Sequence, residues 1–241
     1  MKSTENSWEA RLQTEGFALV PELYPAGQIA ALIACVESAP ATGPNFRRSQ
    51  EVFAIRNLLG EVADLWPLLN TPALAALLQA LFPAGGHLVK AIYFDKPAQS
   101  NWLVAWHQDL MINVSQRAEL PGFGPWTSKQ GETAVLPPAE VLENVVTIRI
   151  HVDDCDASNG ALKVVPASHR HGVLPPAAAA ALTTEGQVCA VPAGGAMLMK
   201  PLLLHASNRS TSPRSRRVIH LEFASVELPA PLQWRERLNL G

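Results

Sequence analysis

Trp106-His107-Gln108-Asp109 places an imidazole and a carboxylate two residues apart. In an extended strand such residues project from the same face, so both side chains could approach one ion. Joined by a second, distant histidine they would form the two-histidine-one-carboxylate triad that binds non-haem Fe(II) and leaves three positions open. The chain holds seven histidines, and spacing alone does not single out the third ligand. His205 is a candidate at the exit of an apolar run. His169 and His171 fall in a polar loop and are expected to face solvent, and His87 borders a glycine pair. His151 shares a strand face with Arg149, and His220 has no acidic neighbour at ligand spacing.

What favours His205 is the sequence after it. Asn208, Ser210 and Ser212 make a polar turn, and Arg214, Arg216 and Arg217 then lead into an alternating strand. A guanidinium just beyond a metal-binding histidine could hold a carboxylate through two parallel hydrogen bonds. An Fe(II) oxygenase needs such a grip, because a 2-oxo acid co-substrate must chelate the metal while its far carboxylate is held still.

The elements that would position these groups follow from composition and pattern. With 241 residues, 48% hydrophobic and 17% charged, the chain suits one large domain with a sizeable core. A net charge of −2 gives no electrostatic reason to expect nucleic acid or an anionic membrane as partner. Cys35, Cys155 and Cys189 are widely spaced and read as free thiols in a reducing compartment. The N-terminus carries acid early and lacks the apolar core of a signal peptide, and no run suits a membrane span, so a cytoplasmic protein is expected.

Helices are expected over residues 7–15, closed by Gly16, over 28–36, and over 72–82, opened by Thr71 and Pro72. Strands are expected over 17–20, 88–95, 145–152, 161–165, 187–191, 196–204 and 217–224, with a turn over 97–100 and a helical excursion over 175–182. Residues 39–49 read as a surface loop carrying the solvated pair Arg47-Arg48. Residues 110–143, with Pro121-Gly-Phe-Gly-Pro125, Trp126 and Pro137-Pro138, read as a long loop, either an ordered lid beside the site or a surface crossing. Helices first and short strands after indicate a mainly β fold with flanking helices outside a sandwich or barrel. Alternation over 145–152 puts Thr147, Arg149 and His151 on one face and Val146, Ile148, Ile150 and Val152 on the other. With the apolar face under the helices, Arg149 would point into the barrel.

Several segments, in this order, resemble the phytanoyl-CoA dioxygenase family of Fe(II)- and 2-oxoglutarate-dependent oxygenases. They are Trp-His-Gln-Asp at 106–109, Asn159-Gly-Ala-Leu followed by Val165-Pro-Ala-Ser-His169, and His205-Ala-Ser-x-x-Ser with Arg216 downstream. Glu15-Gly-Phe-Ala-Leu-Val-Pro21 is similar to the family's entry strand, and the resemblance runs from residue 8 to 226. It implies a double-stranded β-helix, a cupin-like jelly roll, formed by residues 1–241 as a single domain. It implies His107, Asp109 and His205 as iron ligands and Arg216 as the clamp on the far carboxylate of 2-oxoglutarate. Ser207 would support the same carboxylate, and Gln108 would lie near the co-substrate. Lys90 joins them if its strand face turns inward. Two departures stand out: Gly195-Ala196 where relatives often have Gly-Asp, and Pro-Ala-Ser-His in place of Pro-Gly-Ser-His.

The expected activity is O2- and 2-oxoglutarate-dependent oxidation of a small molecule, with no catalytic side chain beyond the metal ligands. Asp109 fills the position that a halide would need, so hydroxylation is expected rather than halogenation. No dense basic patch suits the phosphates of coenzyme A. Arg149 and Arg56 are the candidates for gripping an anionic substrate, and Trp126 for an aromatic contact. The alternative is a non-catalytic jelly roll that binds a metal or small anion, and O2-dependent succinate formation discriminates the two.

Overall fold

The computed structural model describes residues 7–40, 42–48, 53–96, 103–129 and 131–240. The expected turn over 97–100, the extreme N-terminus and the side chains of Arg47 and Arg48 lie outside the described residues. Helix α1 (Trp8–Glu15) begins where Ser7 Oγ accepts the Ala10 amide and ends at Gly16, whose φ of 82° suits glycine. Helices α2 (Ala26–Glu37), α3 (Leu58–Glu61), α4 (Leu65–Leu69) and α5 (Pro72–Leu81) follow. The last opens as expected: Thr71 Oγ1 accepts the Leu74 amide at 3.3 Å and Pro72 occupies the first turn. Its Leu74, Leu77 and Leu78 are buried at helical spacing.

The largest sheet orders its strands β1 (Phe17–Val20), β12 (Ala196–Met199), β9 (Val145–His151), β14 (Arg216–Ala224), β4 (His87–Lys96), β3 (Phe53–Arg56) and β2 (Phe46–Arg48), with β15 (Leu238–Asn239) on β4. A second sheet runs β11 (Gln187–Val188), β10 (Leu162–Val164), β13 (His205–Ser207) and β5 (Val104–His107). All pairings in both are antiparallel. Period-2 alternation gives the large sheet two different faces. Ile148 and Ile150 of β9 and Ile219, Leu221 and Phe223 of β14 join α2 and α5 in one apolar cluster. Each such side chain withdrawn from water contributes about 1.5–3 kcal/mol. The intervening residues, Thr147, Arg149 and His151 on β9 and Arg216, His220 and Glu222 on β14, are buried polar groups on the other face. Arg149 therefore points inward, as the alternation predicts.

Three expectations change. Residues 110–143 are not a long loop. They form a three-stranded sheet, β6 (Ile112–Val114), β8 (Glu132–Val135) and β7 (Trp126–Lys129), followed by α6 (Ala139–Glu143). Its strands are too short to show periodicity, yet Ile112, Val114 and Val135 bury their side chains in a second apolar cluster. Residues 46–48, expected within a loop, pair with β3. The strand expected over 196–204 breaks after Met199, because Pro201 lacks an N–H and Leu203 N turns back to Lys200 O at 3.1 Å. His205 thus opens β13 instead of closing a longer strand. The break passes the chain from the large sheet to the small one. The helical excursion is α7 (Pro176–Leu182), and no described helix is long and apolar enough to cross a membrane.

Candidate metal centre and its surroundings

The two histidines meet because β5 and β13 are neighbours in register: His205 lies directly opposite His107. Side chains so placed on one face of an antiparallel pair lie in mutual contact, and the two rings stand 4.2 Å apart. Asp109 lies two residues past the end of the strand, so extended-strand alternation is not what aims it. Its position is fixed by its own N–H donating to Pro201 O at 2.9 Å, within the turn that precedes His205. Asp109 Oδ1 then lies 3.6 Å from His107 Nε2, and Oδ2 lies 3.6 Å from His205 Nε2.

These three residues fit a divalent cation. Their ligand atoms all lie within 4.8 Å of one another, and adjacent ligands of a six-coordinate ion at ~2.1 Å stand ~3 Å apart. Both imidazoles are held by the same device. Nδ1 of His107 meets Ala105 O at 2.8 Å, and Nδ1 of His205 meets Leu203 O at 2.9 Å. A carbonyl can only accept, so each Nδ1 carries the proton and each Nε2 presents its lone pair to the carboxylate. Burial pushes His205 down to about 4, against the opposing charge of Asp109. Burial would raise the Asp109 carboxyl, but His205, His220, His107 and Lys90 overcome it and hold the group down at about 2. At neutral pH His205 is therefore a neutral imidazole and Asp109 a carboxylate. His107 remains 40% exposed, so the cluster opens toward solvent on its side.

On the buried side of the cluster lies an electropositive group of side chains. Arg216, at the start of β14, is buried, and its Nη1 donates to Gly160 O at 2.7 Å. Ser207 Oγ donates to the same carbonyl at 3.0 Å. Gly160 has φ 81°, and a Cβ there would strike Asn208 O and Lys96 Nζ, which accounts for glycine in the Asn159-Gly160 segment. Lys96 Nζ donates to Asn208 O at 2.5 Å, and burial followed by the nearby Arg216 charge lowers it to about 8. Arg149 is lowered to about 10 by burial and then by Arg216. The Nε groups of Arg149 and Arg216 and both ring nitrogens of His151 are buried without hydrogen-bond partners among the described residues. His151 is pushed well down by burial and by those two arginines, so it is neutral. The flanking arginines are engaged elsewhere: Arg214 pairs with Asp156 on the surface, and Arg217 grips Asp153 through two nitrogens.

On the other side of Asp109 is a cavity of about 360 Å³. Lys90 faces inward as required, but Glu222 engages it at 2.9 Å through both oxygens. Glu222 also receives His220 Nε2 at 3.0 Å, and His220 Nδ1 faces Arg149 Nη1 at 2.9 Å. Burial would lower Lys90, but the charge and hydrogen bond of Glu222, together with Asp109 and Glu236, raise it. Arg56 lines the same cavity and pairs with Glu132 at 3.1 Å, so its charge is already met.

Two of the expected site residues have protein partners of their own. The Gln108 amide is taken up by backbone: Nε2 donates to Gly172 O and Leu202 O, and Oε1 accepts Leu174 N at 2.8 Å. It braces the turn before His205. Trp126 packs against the second apolar cluster under Arg117, while the next residue on β7, Thr127, lines the cavity. Strand alternation turns the indole away. The sequence reading missed Lys96, Glu132 and Glu222. It set His220 aside for want of an acidic neighbour, although Glu222 stands two residues on along the same strand face.

The comparisons agree with this arrangement. No curated protein matches the chain. Among solved structures, AviO1 from Streptomyces viridochromogenes Tue57 superposes with a TM-score of 0.65 at 23% identity, covering 92% of this chain and 95% of that one. The 2-oxoglutarate-dependent carbocyclase SnoK from nogalamycin biosynthesis gives 0.67 at 12% identity, covering 97% and 87%. HygX from Streptomyces hygroscopicus, with nickel and 2-oxoglutarate bound, gives 0.65 at 14%, covering 91% and 86%. These likenesses establish the jelly-roll fold. The family model for phytanoyl-CoA dioxygenase (PhyH) matches residues 12–218, from α1 into β14, and spans every residue of the cluster and of the electropositive group. With that match over most of its length, the chain belongs to the phytanoyl-CoA dioxygenase family of Fe(II)- and 2-oxoglutarate-dependent oxygenases.

Proposed function

We propose that His107, Asp109 and His205 hold Fe(II), that Arg216 with Ser207 takes the far carboxylate of 2-oxoglutarate, and that a small molecule in the 360 Å³ cavity is hydroxylated. The observation that carries this reading is a pair of imidazoles whose Nε2 lone pairs converge with a carboxylate on one point, next to buried cations that meet no anion among the described residues. Buried charges without counter-charges are costly, and a dicarboxylate co-substrate supplies what is missing. When bound, iron supplies O2 activation coupled to oxidative decarboxylation of 2-oxoglutarate to succinate and CO2.

The chain's own residues do the rest. Ala105 O and Leu203 O fix the tautomers, Gln108 braces the turn that aims Asp109, and Arg216 orients the co-substrate. Asp109 fills with anionic oxygen the position that a halide would take, which supports hydroxylation. The three free cysteines support a reducing, cytoplasmic setting. The test is O2-dependent succinate formation by anaerobically purified protein given Fe(II) and 2-oxoglutarate, with a small-molecule library. Succinate above the protein-free control is expected, and its absence with every compound contradicts the reading. With a substrate found, mass spectrometry in chloride buffer under labelled O2 should show one added oxygen atom; a chlorinated main product overturns the hydroxylation assignment.

A further inference from the structure

We infer that the substrate is an uncharged, hydrogen-bonding molecule, seated in the 360 Å³ cavity against the Asn113 amide and the paired Arg56–Glu132 side chains. The inference rests on the oxygenase reading and deepens it. Apart from Asp109, which belongs to the metal cluster, the formal charges lining this cavity cancel one for one: Arg56 with Glu132 and Lys90 with Glu222. An anion entering here would find no free cation, and a cation no free carboxylate. A zwitterion would have to break a pair that is already closed at 3.1 Å. Desolvating a charge without a counter-charge is costly, whereas a hydroxyl or amide needs only a donor and an acceptor.

Those are present. Asn113 alternates with the fully buried Ile112 and Val114, so β6 turns its amide into the cavity, where it meets no partner among the described residues. Arg56 Nε is likewise buried and unpartnered, and Glu132 Oε1 accepts nothing among the described residues. Phe94 and Met111 supply apolar wall. A volume near 360 Å³ lies at the small end of ligand sites and holds a molecule of roughly twenty non-hydrogen atoms.

The experiment is a fragment screen by ligand-observed saturation-transfer NMR on protein loaded with Ni(II) and 2-oxoglutarate. Each fragment scaffold is supplied in neutral amide-alcohol, carboxylate, amine and amino-carboxylate forms. Neutral forms should dominate the hits, and Asn113→Leu should weaken them on the order of tenfold. Glu132→Gln should shift preference to carboxylates and Arg56→Gln to amines, by a similar factor. Carboxylate or amino-carboxylate forms binding the unmodified protein best, or no neutral form binding, overturns the inference; so does an unchanged order in both charge variants. Should a variant fail to fold, the ranking on the unmodified protein still decides. The visible charge-transfer absorbance of the Fe(II)–2-oxoglutarate chelate is recorded in parallel. Its absence counts against the oxygenase reading, separately from the fragment ranking.

Discussion

The two sides of Asp109 are built on opposite electrostatic plans, although both draw on β4 and β14. Toward the small sheet, Lys96 of β4, Arg149 of β9 and Arg216 of β14 gather positive charge, and two guanidinium Nε groups lie buried without partners among the described residues. Toward the three-stranded sheet, Lys90 of β4 and Glu222 of β14 pair, and Arg56 of β3 meets Glu132 of β8. An unbalanced pocket is one whose counter-charge arrives with a ligand, and a balanced one asks only for shape and hydrogen bonds. On the proposed reading, this division would let one barrel keep an anionic co-substrate and an uncharged substrate apart.

The largest expected effect comes from removing what both sides share. His205→Ala should abolish stoichiometric binding of Fe(II) or a surrogate ion in equilibrium dialysis, and retained affinity would sink the ligand assignment. Next is the positive side. Arg216→Ala leaves a carboxylate buried without its partner, a loss of about 2–5 kcal/mol, so 2-oxoglutarate affinity should fall by tens-fold or more in calorimetric titration. Arg214→Ala should leave that affinity unchanged, since Arg214 is tied to Asp156 at the surface. An equal loss in both variants would mean that the strand register is misread.

The balanced side has a pH signature. Glu236 accepts the Ala91 amide beside β4, and burial raises its carboxyl from 4.5 to about 7. The folded protein therefore holds a proton there that the unfolded chain has released. Stability should decline as pH rises from 4.5 to about 7 and level off above. Glu236→Gln, which keeps the acceptor, should remove about 1–3 kcal/mol of that decline; an unchanged stability–pH curve refutes it. The smallest effect concerns Ala167, in the Pro-Ala-Ser-His segment, which adopts φ 61°. It precedes Ser168, whose Oγ accepts Leu204 N at 2.8 Å, next to His205. Ala167→Gly should relieve left-handed strain and stabilise the fold by about 0.5–1 kcal/mol, read as a small rise in Tm.

What the sequence discloses divides along the same line. The positive side was legible: His107 and Asp109 are local, Arg216 follows His205 closely, and the inward turn of Arg149 follows from alternation over seven strand residues. The balanced side was mostly not. Arg56 and Glu132 are 76 residues apart and Lys90 and Glu222 are 132 apart, so no local pattern joins them. Glu132 lies on a four-residue strand inside a Pro- and Gly-rich stretch, where periodicity has no room to show. His205 was expected at the exit of a strand, but Pro201 ends the preceding strand and His205 opens the next one. The partners of Gln108 and Trp126 were not legible, because backbone contacts and strand facing are decided by tertiary packing.

One measurement bears on the whole comparison: the crystal structure of the protein with Ni(II) and 2-oxoglutarate, the metal located by anomalous scattering. The account predicts a single metal peak at ~2.1 Å from His107 Nε2, His205 Nε2 and an Asp109 oxygen. The far carboxylate of 2-oxoglutarate should lie on Arg216, with the Arg56–Glu132 cavity left free of it. Metal bound elsewhere, or 2-oxoglutarate seated between Arg56 and Lys90, would contradict it.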